Sequence, residues 1–152
     1  MNSYEEVVRN KLRPFVPTGI RVEESAIHPR LFPFQRAITR WALRMGRAAI
    51  FAGTGLGKTA CQLEYAQQVH LHTGKSVLIF APLAVAEQTI EEGKLQNVEV
   101  TYAPYGESIL NGPPGVWVSN YDRFAHFANL PLAGVVCDEA SIMKSHDGKT
   151  RN

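Results

Sequence analysis

Residues 50–59 read Ile-Phe-Ala-Gly-Thr-Gly-Leu-Gly-Lys-Thr, and no other stretch limits so sharply the folds open to this chain. A short apolar run ends in a loop with Gly53, Gly55 and Gly57 at every second position, and Lys58-Thr59 then opens a helix-like segment. Glycine lets a backbone turn with positive φ and approach a ligand closely, because no Cβ stands in the way. The N–H groups of such a loop and of the following helix N-terminus converge on one spot with partial positive charge. Lys58 adds a full charge there, and the Thr59 hydroxyl suits a magnesium ion. The expected object is a phosphate cradle made of Gly53, Thr54, Gly55, Leu56, Gly57, Lys58 and Thr59, with Ala52 where the usual pattern has its first glycine.

Apolar runs and helical periods alternate along the chain. Residues 4–12 read as a short helix stopped by Pro14 and Pro17, and residues 18–33 as a proline-punctuated connection. Phe34, Ala37, Ile38, Trp41, Ala42 and Met45 recur at helical spacing, and Gly46 suits the turn after the helix. Arg36, Arg40 and Arg44 lie off that stripe and read as a solvated face; Trp41 and Trp117 read as core. A buried strand is expected at 48–52, then a helix over 58–72 closed by Gly74. The run 76–81 (Ser-Val-Leu-Ile-Phe-Ala) has the pattern of a strand covered on both faces. A helix over 85–94, a strand at 98–102, a loop at 106–115, a strand at 116–119, a helical turn at 121–127 and a last strand at 132–137 follow. This alternation predicts an α/β fold, a three-layer parallel sheet with helices on both faces. Ligands in such sheets bind at the carboxyl ends of the strands, where the glycine loop, Pro82, Ser119 and Asp138 all fall.

Composition sets outer bounds. A chain of 152 residues makes one domain and buries roughly two-thirds of its unfolded surface. With 45% hydrophobic and 20% charged residues it has the usage of an ordinary globular protein. A formal charge of +2 neither names nor excludes a nucleic-acid partner. Two cysteines, Cys61 and Cys137, make no disulfide framework or metal site, which points to a reducing compartment. No apolar run approaches membrane-spanning length and no secretory signal opens the chain, so the expected location is the cytoplasm of a bacterial or virus-infected cell. His70, His72, His126 and His146 show no metal-ligand spacing.

Asp138-Glu139 forms the second candidate site. Two adjacent carboxylates follow Gly-Val-Val-Cys, a run too apolar for a surface strand. From the end of a buried strand, Asp138 would hold the hydration shell of the magnesium bound by Thr59, since magnesium takes one or two carboxylates plus phosphates and keeps several waters. Glu139 would orient and deprotonate an attacking water. The plainer alternative is a solvated acidic pair capping the next helix.

Together these residues resemble the first RecA-like lobe of superfamily 2 helicases and translocases, nearest the Swi/Snf-type and phage DEAD/DEAH-type branches. Residues 51–59 resemble motif I of that family, with Gly-Leu-Gly-Lys-Thr as in the Swi/Snf branch. Cys137-Asp138-Glu139-Ala140-Ser141 resembles motif II, with Ser141 in place of the usual Asp or His, and Ile142-Met143-Lys144-Ser145 resembles the stretch after it in remodellers. Leu31-Phe32-Pro33-Phe34-Gln35 resembles the Q-motif, Ala81-Pro82-Leu83 motif Ia, and Val118-Ser119-Asn120-Tyr121-Asp122 the segment before motif II. The likeness covers residues 28–150 in order, leaving 1–27 as a separate N-terminal segment.

The resemblance implies a P-loop NTPase lobe, incomplete after motif II, that binds ATP with Mg2+. Lys58 and Glu139 would be catalytic, Thr59 and Asp138 would serve the metal, and Gln35 would recognise adenine, for which a carboxamide has a donor and an acceptor side by side. It further implies nucleic-acid backbone contacts, DNA before RNA, through the Pro82 and Ser119 regions, and a second RecA-like lobe supplying arginine fingers, without which turnover is very slow. An exposed sheet edge after motif II would favour self-association or a partner. The alternative is a binding module for nucleotide, nucleic acid or a partner that does not turn over. A small P-loop kinase fits less well, since it would need a lid with arginines and an acceptor site, and the Gln35 and Asp138-Glu139 arrangement argues against it.

Overall fold

The structure is a computed structural model in which residues 3–11, 14–53 and 55–141 are described. Its helices are α1 (Ser3–Lys11), α2 (Pro33–Met45), α3 (Lys58–Thr73), α4 (Leu83–Leu95) and α5 (Gly106–Asn111), and its strands β1 (Val77–Ala81), β2 (Val100–Tyr102), β3 (Val116–Asn120) and β4 (Gly134–Cys137). Short 3-10 turns occupy Glu24–Ala26 and Tyr121–Phe127. The four strands form one all-parallel sheet in the order β2-β3-β1-β4. The α/β class expected from the alternation is what the chain adopts. Among the described residues, no helix is long and apolar enough to cross a membrane.

The run 77–81 becomes an interior strand, between β3 and β4, because every one of its side chains is apolar. All five residues of β1 are buried. Val77 and Ile79 pack with Val116 and Val118 of β3 against Leu63, Ala66 and Val69 of α3 and Ala86 of α4. On the opposite face Leu78, Phe80 and Trp117 meet Ile109 of α5, Tyr121 and Phe127. Phe80 is ringed by Tyr121, Phe124 and Phe127 at centroid distances of 5.8, 5.0 and 5.6 Å. Complete burial of each such side chain is worth about 1.5–3 kcal/mol. The loop expected at 106–115 therefore begins as a helix, because Ile109 has a core position to fill.

Two expectations fail, for related reasons. Residues 48–52 do not form a strand, and Phe51 is 98% exposed. An apolar run becomes a strand only where a neighbour completes its backbone hydrogen bonds, and among the described residues β4 has β1 as its one strand neighbour and stands at the sheet edge. β4 itself is less buried than its composition predicts: Val135 is 50% exposed and Cys137 is exposed. Both residues share a face with Leu78 and Phe80 through the β1 register, and the cover over that face sits on β1 and β3.

Helix α2 forms where its period predicts but presents a different face. Gln35, Thr39, Ala42 and Leu43 are buried, whereas Phe34 and Trp41 are 46% and 45% exposed. The rotation comes from the segment before it. Thr18, Gly19 and Ile20 donate their N–H groups to Met45, Arg44 and Leu43, satisfying the last carbonyls of the helix. Arg40 donates to the Val22 carbonyl at 2.9 Å, and Arg36 to the Leu31 and Pro29 carbonyls at 2.8 and 2.9 Å. These two arginines are anchors for residues 22–31 rather than a solvated face. Val22, Ile27 and Leu31 enter the main core. Glu64 of α3 is buried there, accepting from the His28 N–H and from Gln68 Nε2.

Candidate functional site

The glycine loop ends where α3 begins. Gly57 is the residue before the helix and has φ +69°, and Gly55 has φ +78°; both lie in the left-handed region that favours glycine. Gly57 is under a second constraint, because a Cβ there would collide with Gln35 Nε2. Gly53, Gly55, Leu56 and Gly57 are exposed, Lys58 and Thr59 half-buried. Thr54 lies outside the described residues, as do Ile142, Met143, Lys144, Ser145 and His146.

Gln35 is buried, not solvent-facing, and both ends of its carboxamide are engaged. Its Oε1 accepts from the Phe32 N–H at 2.8 Å, closing a cap on α2, and its Nε2 donates to the Leu56 carbonyl at 3.0 Å. One carboxamide thus ties the start of α2 to the glycine loop. Each end retains one further hydrogen-bonding position.

Strand order decides what stands opposite the loop. Cys137 is level with Phe80 of β1, and the Asp138 N–H continues the ladder by donating to the Phe80 carbonyl at 2.8 Å. Asp138 therefore sits at the carboxyl end of the sheet beside α3. Gln62 Nε2 donates to Asp138 Oδ1 at 3.0 Å, and the Tyr121 hydroxyl donates to the Asp138 carbonyl. Burial, with the carboxylates of Asp138 and Glu139 nearby, raises the Tyr121 pKa far above the ordinary phenol value, keeping this donor protonated. Glu139 follows with φ +51°, an uncommon conformation for a residue with a side chain. From it the carboxylate reaches Lys58, with Oε1 3.7 Å from Nζ. Lys58 Nζ also lies 3.4 Å from the Ala52 carbonyl. Lys58 and the Asp138-Glu139 pair, eighty residues apart in sequence, converge at the carboxyl end of the sheet.

Gln62 is not among the residues that the sequence points to, and Tyr121 enters there only within the Val118–Asp122 segment, not as a partner of Asp138. Gln62 carried a signal: at i+4 from Lys58 it shares a helix face with it. The link from Tyr121 to Asp138 carried none, because its partner is a backbone carbonyl.

No protein-family model matches the chain. Over 130 residues it is 28% identical to protein p41 of Acyrthosiphon pisum secondary endosymbiont phage 1, an alignment spanning 74% of this chain and 28% of that protein. The chain thus corresponds to little more than a quarter of the length of this phage relative.

The Pro82 and Ser119 regions are neighbours at the same edge, since Ala81 is level with Asn120. Pro82 precedes α4 and its carbonyl accepts from the Val85 and Ala86 N–H groups. Ser119 has no exposed surface, so its hydroxyl is out of reach of a ligand in this conformation. The Ser119 hydroxyl and Asn120 Oδ1 are buried without hydrogen-bond partners among the described residues, while Asn120 Nδ2 donates to the Tyr102 hydroxyl at 3.1 Å.

Proposed function

We propose that this chain is an ATP-binding, P-loop NTPase element of RecA-like type from a DNA-dependent helicase or translocase. The observation that carries the reading is the placement of Lys58, at the start of α3 behind two left-handed glycines, 3.7 Å from Glu139 and one helical turn from the Gln62 that holds Asp138. A cation, a helix N-terminus and two carboxylates at the carboxyl end of a parallel sheet suit a nucleoside triphosphate.

The residues present also fit a magnesium ion. Asp138 Oδ2 has no hydrogen-bond partner among the described residues, and the Thr59 hydroxyl follows Lys58 at the helix start. Among the described residues no three His, Cys, Asp or Glu side chains form a metal site, so a cation here takes most of its ligands from phosphate and water, as magnesium prefers. Bound there, it would neutralise charge on the β- and γ-phosphates. Thr59 and Asp138 would hold it.

Lys58 exchanges its carboxylate partner for phosphate when nucleotide enters, which releases Glu139 Oε1. The freed carboxylate accepts a proton from the attacking water. Gln35, fixed to the loop and buried, would offer its remaining donor and acceptor to the base once the loop opens around it. A second lobe would contribute the charge needed at the transition state, and a nucleic-acid strand would track the edge near Pro82. With Ser119 buried, backbone groups or a rearranged β3 end would make the contact there.

A second reading is a module that binds nucleotide without turnover; the Lys58–Glu139 pair favours it, because it keeps both groups occupied. An ATPase assay with and without DNA, alongside binding of a fluorescent ATP analogue, separates the two. Turnover abolished in both Lys58→Ala and Glu139→Gln supports the enzyme; binding with no turnover under either condition supports the module. No binding at all refutes both.

A further inference from the structure

Asp138 is held at three of its four polar positions. Its N–H donates to the Phe80 carbonyl at 2.8 Å, its carbonyl accepts from the Tyr121 hydroxyl, and its Oδ1 accepts from Gln62 Nε2 at 3.0 Å. Asp138 is 9% exposed, and only Oδ2 lacks a partner among the described residues. We propose that Gln62 is a specificity-determining residue for the cation: by occupying Oδ1 it makes Asp138 a one-oxygen ligand, which favours magnesium over calcium.

The inference rests on the nucleotide reading of the same site and adds the residue that selects the metal. The chemistry is a matter of size and ligand number. Magnesium takes six ligands at about 2.0–2.1 Å, keeps several waters and uses carboxylates one oxygen at a time, whereas calcium takes six to eight ligands at about 2.3–2.6 Å and readily grips both oxygens of a carboxylate. The two backbone hydrogen bonds stop Asp138 from shifting along the strand, so the orientation of its carboxylate depends on Gln62. Gln62 lies on α3, the helix that begins at Lys58, so the phosphate-binding end and the metal-selecting contact belong to one rigid element. Partners that orient a ligand in this way typically change metal affinity by about 10–100-fold when removed. Gln62 touches neither phosphate nor water in this scheme; it is a positioning residue.

The test measures binding, not turnover. The N-methylanthraniloyl derivative of ATP is titrated with the full chain in Mg2+, in Ca2+ and in EDTA, for wild type, Gln62→Ala and Gln62→Met, with thermal melting of each. Wild type is expected to bind more tightly in Mg2+ than in Ca2+, and the Mg2+/Ca2+ affinity ratio to fall about tenfold in both variants. General loosening of the site weakens binding in both metals and leaves the ratio unmoved. Gln62→Met keeps the side-chain length without a donor and carries the test if Gln62→Ala lowers the Tm. A Mg2+-selective wild type with an unchanged ratio in the variants overturns the role of Gln62 and leaves the nucleotide reading standing. Equal wild-type affinity in Mg2+, Ca2+ and EDTA overturns the metal site itself.

Discussion

Lys58 Nζ lies 3.7 Å from Glu139 Oε1, so the cation at the start of α3 is paired with the second residue of the acidic dipeptide. Both side chains are partly exposed, and a pair of this kind contributes little to folding. Its consequence falls on binding. On the proposed nucleotide reading, Glu139→Gln removes the partner that phosphates would displace, so affinity for an ATP analogue should rise a few-fold. Hydrolysis should fall by about 10²–10⁴ with the proposed general base gone. Single-turnover kinetics beside equilibrium binding check both; weaker binding in Glu139→Gln would contradict the exchange.

Gly57→Ala should destabilise more than Gly55→Ala. Both residues have positive φ, which costs about 1–2 kcal/mol for a residue with a Cβ. Among the described residues nothing stands near a Cβ at Gly55, whereas one at Gly57 meets Gln35 Nε2. Denaturant midpoints for the two single variants, and for Gly57→Ala combined with Gln35→Ala, provide the measurement. The combination should be less destabilised than the sum of its parts, because neighbouring sites couple.

Glu64→Ala should cost about 1–3 kcal/mol, the penalty for leaving buried donors unpaired. It strips the acceptor from the His28 N–H and one acceptor from Gln68 Nε2, which retains the Ala26 carbonyl at 2.9 Å. The damage should appear first in residues 22–31. Limited proteolysis would cut there in the variant under conditions that spare the wild type.

Phe51→Ser should change stability by less than about 0.5 kcal/mol, as expected for an exposed side chain. Truncating a buried phenylalanine instead costs about 3–5 kcal/mol. Thermal melting therefore distinguishes the exposed run seen here from the buried strand that its composition suggests.

Alkaline pH should weaken the fold. Burial raises the pKa of the Cys61 thiol, and partial desolvation that of the more exposed Cys137 thiol, above their ordinary 9.0; burial likewise raises the Tyr65 and Tyr121 phenols above 10.0. All four groups are neutral when protonated, and the folded state holds these protons to higher pH than the unfolded chain does. Their stabilisation is complete below the unfolded values and is lost as pH rises through the folded ones. The denaturant midpoint should hold between pH 7 and about 8.5 and decline above that, less steeply in Tyr121→Phe.

The helices and the parallel sheet were legible because their periods are local. Lys58 to Thr73 carries its own start in Gly57 and its own stop in Gly74, and Val77 to Ala81 is apolar throughout. The candidate site was legible in part: the glycine loop and Asp138-Glu139 stand out as types and spacings, but a linear reading has no term for Gln62 on Asp138. The stripe on α2 misled because Phe34 and Trp41 have the right period for burial, while Arg36 and Arg40 turn the helix by gripping carbonyls from residues 22–31.

From its sequence alone, the chain determined the α/β alternation, the glycine loop and the residue types at the carboxyl edge of the sheet, because backbone preference and hydrophobic period act over a few residues. The tertiary structure alone decided which neighbours each segment has. Among the described residues it left 48–52 without a strand partner, placed β4 at the edge, and brought Gln62, Lys58, Asp138 and Glu139 together. Those outcomes depend on hydrogen bonds and packing between distant segments, which no local pattern encodes.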